Sequence, residues 1–142
     1  MKPTELPPEE RMALLSNLRY GRLGMSLNNK PYVVPMSYVY HNDKIYLHSR
    51  KEGEKLKIAR SNPRVCFQVD NLRNNRWASV IARGIIKLST DIEIKKKMFN
   101  AYVIKNMGGH KKRQFMPEDI EKMDMVVLEM EIEEMTGRRG IW

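Results

Sequence analysis

Cysteine is nearly missing. Cys66 is the only one in 142 residues, so no disulfide can form within the chain. A lone thiol fits a reducing compartment. Cys66 alternates with Val65 and Phe67 in a strand-like run, which reads as a core or half-buried thiol rather than a nucleophile. Long apolar runs are missing too: nothing approaches the roughly 20 residues a membrane helix needs. Pro3, Pro7, Pro8, Glu9 and Glu10 stand where a signal peptide needs an apolar stretch, and the expectation is a cytoplasmic protein. The histidines, His41, His48 and His110, are scattered, and none is at ligand spacing from another His or Cys, so no metal site is expected. There is no phosphate-loop or dinucleotide glycine fingerprint; Gly21 and Gly24 alone carry little weight. No repeat and no low-complexity segment is visible. Negative charge is also in short supply. Lys and Arg number 26 against 17 Asp and Glu, a net charge of +9. That excess favours an anionic partner without choosing among nucleotide, nucleic acid and membrane surface.

What is present is alternation. Pro7-Pro8-Glu9-Glu10 opens a helix over about 7–19, with Met12, Leu14, Leu15 and Leu18 as its apolar stripe and Gly21 as its end. Leu23, Met25 and Leu27 alternate with polar residues in a strand, and Asn28-Asn29 is a turn signal. Tyr32–Tyr40 reads as one strand, interrupted by Pro35, which marks an edge, a bulge or a ligand-facing backbone. Ile45–Ser49 is a short strand, and Glu54–Ser61 a short helix stopped by Asn62-Pro63. Arg64–Asp70 and Trp77–Leu88 are strands joined by a polar basic loop at Asn71–Arg76. Ala78, Val80, Ala82, Gly84, Ile86 and Leu88 share one face of the second. Thr90 or Asp91 caps a helix running to about Lys105. Ile94, Met98, Ala101 and Tyr102 face inward, and Lys95-Lys96-Lys97 form its solvated face. Gly108–Gln114 is a basic loop, and Pro117–Lys122 a short helix. Met125–Glu134 is the last strand, with one wet face carrying Glu129, Glu131 and Glu133, and residues 137–142 form a tail. About six strands, mostly consecutive, with two or three helices predict a mainly β single domain with peripheral α, an antiparallel sheet or small barrel.

The most informative stretch runs from Tyr32 to Lys57. A strand ending in His48-Ser49 is followed by Arg50, Lys51, Gly53, Lys55 and a helix start. Helix N-termini expose N–H groups with partial positive charge. A hydroxyl, backbone amides and a lysine together are what a phosphate monoester needs. The seat says phosphate, not which molecule, and a basic turn that only solubilises the chain fits the composition equally well.

A series of short pieces then falls into register: Pro31-Tyr32-Val33-Val34-Pro35-Met36, Ile45-Tyr46-Leu47-His48-Ser49, Gly53 with Lys55, Asn62-Pro63-Arg64-Val65, and Ser79-Val80 with Gly84. Together they resemble the pyridoxamine 5'-phosphate oxidase-like flavoproteins, in the branch that includes the nitroimidazole-resistance-type proteins. The resemblance implies a six-stranded split β-barrel, a homodimer, and FMN in clefts between subunits. It implies that Val33, Val34, Pro35, Met36 and Ser37 lie along the flavin ring with their backbone groups at its edge. It matches His48 and Ser49 to the pair at the phosphate and ribityl chain, and Lys55 to the phosphate lysine. Ser79 falls where a polar residue reaches FMN from the other subunit, and Gly84 matches a glycine of the same strand. Two departures stand out. Glu54 replaces an arginine of the oxidases proper, so Arg50 or Lys51 is expected to supply that charge. Their C-terminal Arg–Leu–His–Asp–Arg-like substrate motif is absent, which argues against pyridoxamine phosphate as substrate. Trp142 either covers the flavin or substrate cleft or anchors the dimer interface.

The leading expectation is thus an FMN-dependent oxidoreductase that passes hydride from NAD(P)H to a small acceptor such as a nitroaromatic, with Trp77, Tyr32 or Trp142 beside the substrate. Two other readings stand beside it. One is a flavin or haem carrier without turnover. The other is a basic β-barrel that binds single-stranded nucleic acid through loops such as 71–76 and 108–114.

Overall fold

The computed structural model describes residues 2–105 and 117–142. In chain order the elements are β1 (Thr4–Glu5), α1 (Pro8–Asn17), β2 (Tyr20–Leu27), β3 (Lys30–Ser37), β4 (Val39–His41), β5 (Lys44–Ser49), α2 (Glu54–Ser61), β6 (Arg64–Arg73), β7 (Arg76–Ser89), α3 (Ile92–Lys105), α4 (Pro117–Lys122) and β8 (Val126–Ile141). All strand pairs are antiparallel, in the order β3-β2-β6-β7-β8-β5-β4, with β1 paired to the far end of β8. The fold is mainly β, as expected, and the sheet does not close.

The terminal strands of that order, β3 and β4, are joined by a single residue, Tyr38. A sheet whose two ends are one residue apart has to curl, and the result is a split barrel. Tyr38 is the pivot. Its N–H donates to the Arg19 carbonyl at 3.2 Å, its ring meets Phe67 edge-on at 4.8 Å, and its hydroxyl donates to the Leu15 carbonyl near the end of α1. This residue also divides the expected strand 32–40 in two. With the short β1 added, the six expected strands become eight among the described residues.

Inside the curl lies the main core, with Leu15, Leu23, Ile45, Leu47, Leu56, Phe67, Val69, Val80, Ala82, Leu128 and Met130 fully buried. Each of these side chains except the small Ala82 contributes roughly 1.5–3 kcal/mol of transfer free energy. A second cluster packs α3 and α4 on the other face of β4, β5 and the start of β8: Val39, Tyr46, Met98, Phe99, Ile120 and Val127. β5 is therefore buried on both sides, and β8 gains its wet face only beyond Val127.

Four other expectations change. Gly21 does not end α1. The helix stops when Leu18 turns extended, and Gly21 lies within β2, where a Cβ would sit 2.4 Å from the Gln68 carbonyl oxygen. Asn71–Arg76 is not a loop: β6 and β7 run on to a two-residue turn, Asn74-Asn75, both at positive φ. Residues 137–142 are not a free tail, because β8 pairs with β7 as far as Ile141. Lys95 is buried rather than solvated, with its Nζ donating to the Met123 carbonyl at 3.0 Å. Three successive helical positions point about 100° apart, so Lys95-Lys96-Lys97 cannot all face water on a packed helix. The basic loop expected at 108–114 lies outside the described residues.

Candidate functional site

β5 ends at Ser49, and its partner strand β8 begins at Val126, directly opposite. The chain then turns through Arg50–Gly53 into α2. Gly53 holds φ +142°, which β-carbon-bearing residues rarely adopt, and it stands at the N-cap of α2 with no side-chain cap. The amides of the first helical turn are left to other acceptors. Around this corner is a cavity of about 450 Å³, lined by His48, Ser49, Arg50, Glu52, Lys55, Asp124 and Met125.

Charge in the cavity is divided. The Lys51 Nζ lies 2.7 Å from an Asp124 carboxylate oxygen. Arg50 and Lys55 have no ion-pair partner among the described residues. With Asp124 balanced by Lys51, two free cations face one carboxylate, Glu52. His48 is on the outer face of β5 and keeps a solvent-facing side. Burial of the rest disfavours the imidazolium and lowers its pKa from 6.5, an effect that its exposure limits. His48 is accordingly neutral at pH 7, able to donate from one ring nitrogen and accept at the other. The residues present fit a phosphate monoester: two cations, a hydroxyl and uncapped helix amides around one space.

β3 supplies a different feature. It is the first strand of the sheet, and its outer edge is unpaired among the described residues. Pro35 sits opposite Arg22 of β2 on this edge, where a missing N–H costs nothing in the ladder. Val33, Pro35 and Ser37 are exposed, Val33 at 67%, and Val34 and Met36 turn inward onto the core. Beside Tyr32 and Val33 lies a broad cleft of about 710 Å³, with Gly24, Cys66, Arg83 and Glu133 on its other sides.

The remaining expected residues stand elsewhere in the chain. Ser79, opposite Asp70 on β6, is half-buried, and its Oγ accepts from Gln68 Nε2 at 3.0 Å. Gln68 in turn accepts from Arg22 at 3.2 Å, and Arg22 pairs with Asp70, so a polar ladder crosses β7, β6 and β2. Trp142 is 79% exposed at the far end of β8, with its N–H on the Asn75 carbonyl at 2.8 Å. Thus His48, Ser49, Arg50 and Lys55 share one cavity, and Lys51 is tied to it through its ion pair with Asp124. Val33–Ser37, Ser79 and Trp142 do not line that cavity within one chain. Sequence reasoning missed Asp124, whose role depends on β8 starting beside β5. It also missed the ladder of Arg22, Gln68 and Asp70, which reads in sequence as unrelated polar positions.

A family model described as pyridoxamine 5'-phosphate oxidase matches residues 7–139. The chain belongs to the pyridoxamine 5'-phosphate oxidase family. Solved structures agree on the family fold. A FAD-binding protein from Mesorhizobium loti superposes with a TM-score of 0.77 at 27% identity, covering 99% of each chain. A putative 5-nitroimidazole antibiotic resistance protein from Bacteroides thetaiotaomicron gives 0.79 at 23% identity, over 97% of this chain and 87% of that one. An uncharacterized protein from Rhizobium meliloti is 32% identical over 77 residues, which is 54% of this chain and half the length of that relative. Among the described residues of this family member, no helix is long and apolar enough to cross a membrane, and no three His, Cys, Asp or Glu side chains cluster as a metal site would require.

Proposed function

We propose that this chain is a flavoprotein whose corner between β5 and α2 holds the phosphate of FMN or of the FMN half of FAD. The observation that carries the reading is the 450 Å³ cavity in which Arg50 and Lys55 stand without ion-pair partners among the described residues, beside Ser49 and an uncapped helix start, in a chain of this family. The FAD-binding relative from Mesorhizobium loti supports the flavin class.

Bound flavin supplies hydride chemistry; the chain's residues bind and orient it. Lys55 and Arg50 provide compact and forked positive charge to the phosphate oxygens, and the Ser49 hydroxyl and the α2 amides donate directed bonds. Lys51 keeps Asp124 from repelling the dianion. Neutral His48 donates or accepts toward the ribityl hydroxyls. The unpaired edge of Val33, Val34, Pro35, Met36 and Ser37 offers backbone donors and acceptors to a heterocyclic ring edge. We further read the active unit as a homodimer, with Ser79 and the exposed Trp142 contributed across the interface. Its reaction is read as NAD(P)H-dependent reduction of a small, electron-poor acceptor such as a nitroaromatic.

Lys55→Ala tests the seat. A charge-assisted hydrogen bond is worth about 1.5–3 kcal/mol, so FMN affinity should fall roughly 10- to 150-fold with far-UV circular dichroism unchanged. Unchanged flavin content in a folded Lys55→Ala protein contradicts the assignment. Anaerobic bleaching of the loaded protein by NAD(P)H supports the oxidoreductase, and failure to bleach makes the protein a carrier.

A further inference from the structure

Arg22, Arg64 and Arg83 of the sheet each meet a carboxylate of another strand: Asp70, Glu133 and Glu134. Arg73 and Arg76 meet each other instead. They are the last pair of β6 and β7 before the Asn74-Asn75 turn and stand directly opposite across the ladder. Like charges in that register destabilise a hairpin.

The register brings further cations to the same face. Arg76 lies between Arg73 on β6 and Ile141 on β8. Two residues along, Ala78 lies between Asn71 and Arg139, and Arg139 pairs in turn with Thr4 of β1. Positions two apart on a strand point the same way, so these are two adjacent rows on one side of the ribbon. Leu72 and Trp77 pair with each other on the opposite side, where the indole lies over Gly140. The cationic rows, with Lys2 beside them, line a cavity of about 500 Å³, within the range of small-molecule sites.

Charge in this cavity is one-sided. Arg139 is held by Glu10 of α1 at 2.9 Å. Among the described residues Lys2, Arg73 and Arg76 have no ion-pair partner, and no carboxylate lines the cavity. The Ala78 and Ile141 side chains between the cations offer nothing that competes for guanidinium donors. Asn71 and Thr4 close one row at its two ends with neutral donors. Four neighbouring strands make the platform roughly 14 Å wide. One phosphate fits between two arginines but does not span that width, whereas a chain of linked phosphates does.

We propose that this face is a second anion site, which takes an oligophosphate: two or more linked phosphoryl groups laid across Arg73, Arg76, Arg139 and Lys2. The phosphate chain is either free, as pyrophosphate or tripolyphosphate, or part of a nucleotide, and the chemistry recognised is the same. The bound anion offsets the repulsion between Arg73 and Arg76, so binding and hairpin stability are coupled. The site is separate from the β5–α2 seat. Thirteen residues of β8 lie between Val126, opposite Ser49, and Arg139 at the platform, roughly 43 Å of strand contour. It stands whether or not that seat holds a flavin.

The test is calorimetric titration of pyrophosphate, tripolyphosphate, ADP and orthophosphate into the purified full chain, with Arg76→Ala, Lys55→Ala and Arg64→Ala beside the wild type. The expected result is saturable binding of pyrophosphate and tripolyphosphate to the wild type, with orthophosphate about tenfold weaker or more. Arg76→Ala removes a charge-assisted contact and should weaken binding about tenfold or more, while Lys55→Ala and Arg64→Ala bind as the wild type does. Thermal melting reads the coupling. Without the anion, Arg76→Ala should melt at or above the wild-type temperature, and tripolyphosphate should raise the wild-type midpoint but not that of the variant. ADP bound no tighter than pyrophosphate identifies the phosphate chain as the whole ligand, and markedly tighter ADP identifies a nucleotide as the source. The proposal is overturned by no binding at millimolar concentration or by equal binding in Arg76→Ala. Equal losses in Arg76→Ala and Arg64→Ala overturn it as a general effect of charge, and loss in Lys55→Ala would put the anion in the β5–α2 seat and overturn it too. Tighter binding of a single-stranded oligonucleotide than of tripolyphosphate does the same.

Discussion

Lys51 and Lys55, four residues apart, have opposite situations. Lys51 is engaged by Asp124, and Lys55 has no ion-pair partner among the described residues. Replacing Asp124 by Asn removes a negative charge beside the seat. At 75% side-chain exposure that charge is well screened, so the gain is of the order of 0.2–1 kcal/mol, or about 1.5- to 5-fold tighter FMN binding by fluorescence titration. Weaker binding in Asp124→Asn would show that Asp124 positions Lys51 for the ligand instead of balancing it. Titrating groups elsewhere shape the stability profile. Burial, with Arg19 nearby, lowers Lys105 from 10.5 to about 8. Between those values the unfolded chain binds more protons, so stability rises with pH. Burial raises Tyr40 and Tyr46 from 10 to about 12, with Asp43 and Glu129 adding to the effect. Those tyrosines ionise first in the unfolded chain, so their contribution is complete below pH 10 and is lost as pH climbs toward 12. Urea midpoints measured from pH 7 to 11.5 should rise above pH 8 and fall beyond pH 10. Lys105→Met should abolish the rise and keep the fall.

Among the elements, β8 carries the fold, pairing with β7 along its length and with β5 and β1 on its other side. Its register with β7 shifts at Arg83/Gly84, and a Cβ at Gly84 would lie 1.8 Å from the Glu131 carbonyl oxygen. That neighbour is backbone, held by its own pairing, and cannot rotate away. Gly84→Ala should lower the thermal midpoint by several degrees or abolish soluble expression, since strain in a packed core costs about 1–3 kcal/mol and each kcal/mol shifts a domain of this size by roughly 2–8 °C. A midpoint unchanged within a degree would mean that the bulge rearranges freely. Much at this scale was legible in the sequence. Strand alternation marked the buried faces of β2, β6 and β7, and α2 falls where its pattern put it. Asn28-Asn29 was a readable turn because apolar strands flank it, and both residues have positive φ. Asn74-Asn75 is the same turn chemistry but was hidden, because Leu72 and Trp77 are the lone apolar residues of the exposed ribbon around it, too few to show an alternation. The end of β8 was hidden for the same reason.

At the scale of the molecule, the split barrel was readable as a class, and the pairing order was not. Nothing local in β8 states that it lies between β7 and β5, and so nothing local brings Asp124 to the β5–α2 corner. The strand-end residues of the seat were legible because they are contiguous, from His48 to Lys55. The ladder needed the register of three strands. Val33, Tyr20, Leu72, Ile141 and Trp142 leave large apolar side chains exposed at the β3 edge and at the hairpin tip. The homodimer proposed above would cover part of that surface. Sedimentation equilibrium should therefore return twice the 16.7 kDa chain mass at micromolar concentration, and a monomer at that concentration would remove the contribution assigned to Ser79 and Trp142 across an interface.

The most direct test of the central claim is the visible spectrum of the purified protein, followed by chromatography of the supernatant after heat denaturation. The account predicts a yellow protein that releases one flavin per chain, with Lys55→Ala releasing much less. A colourless protein that also fails to take up added FMN or FAD would contradict it.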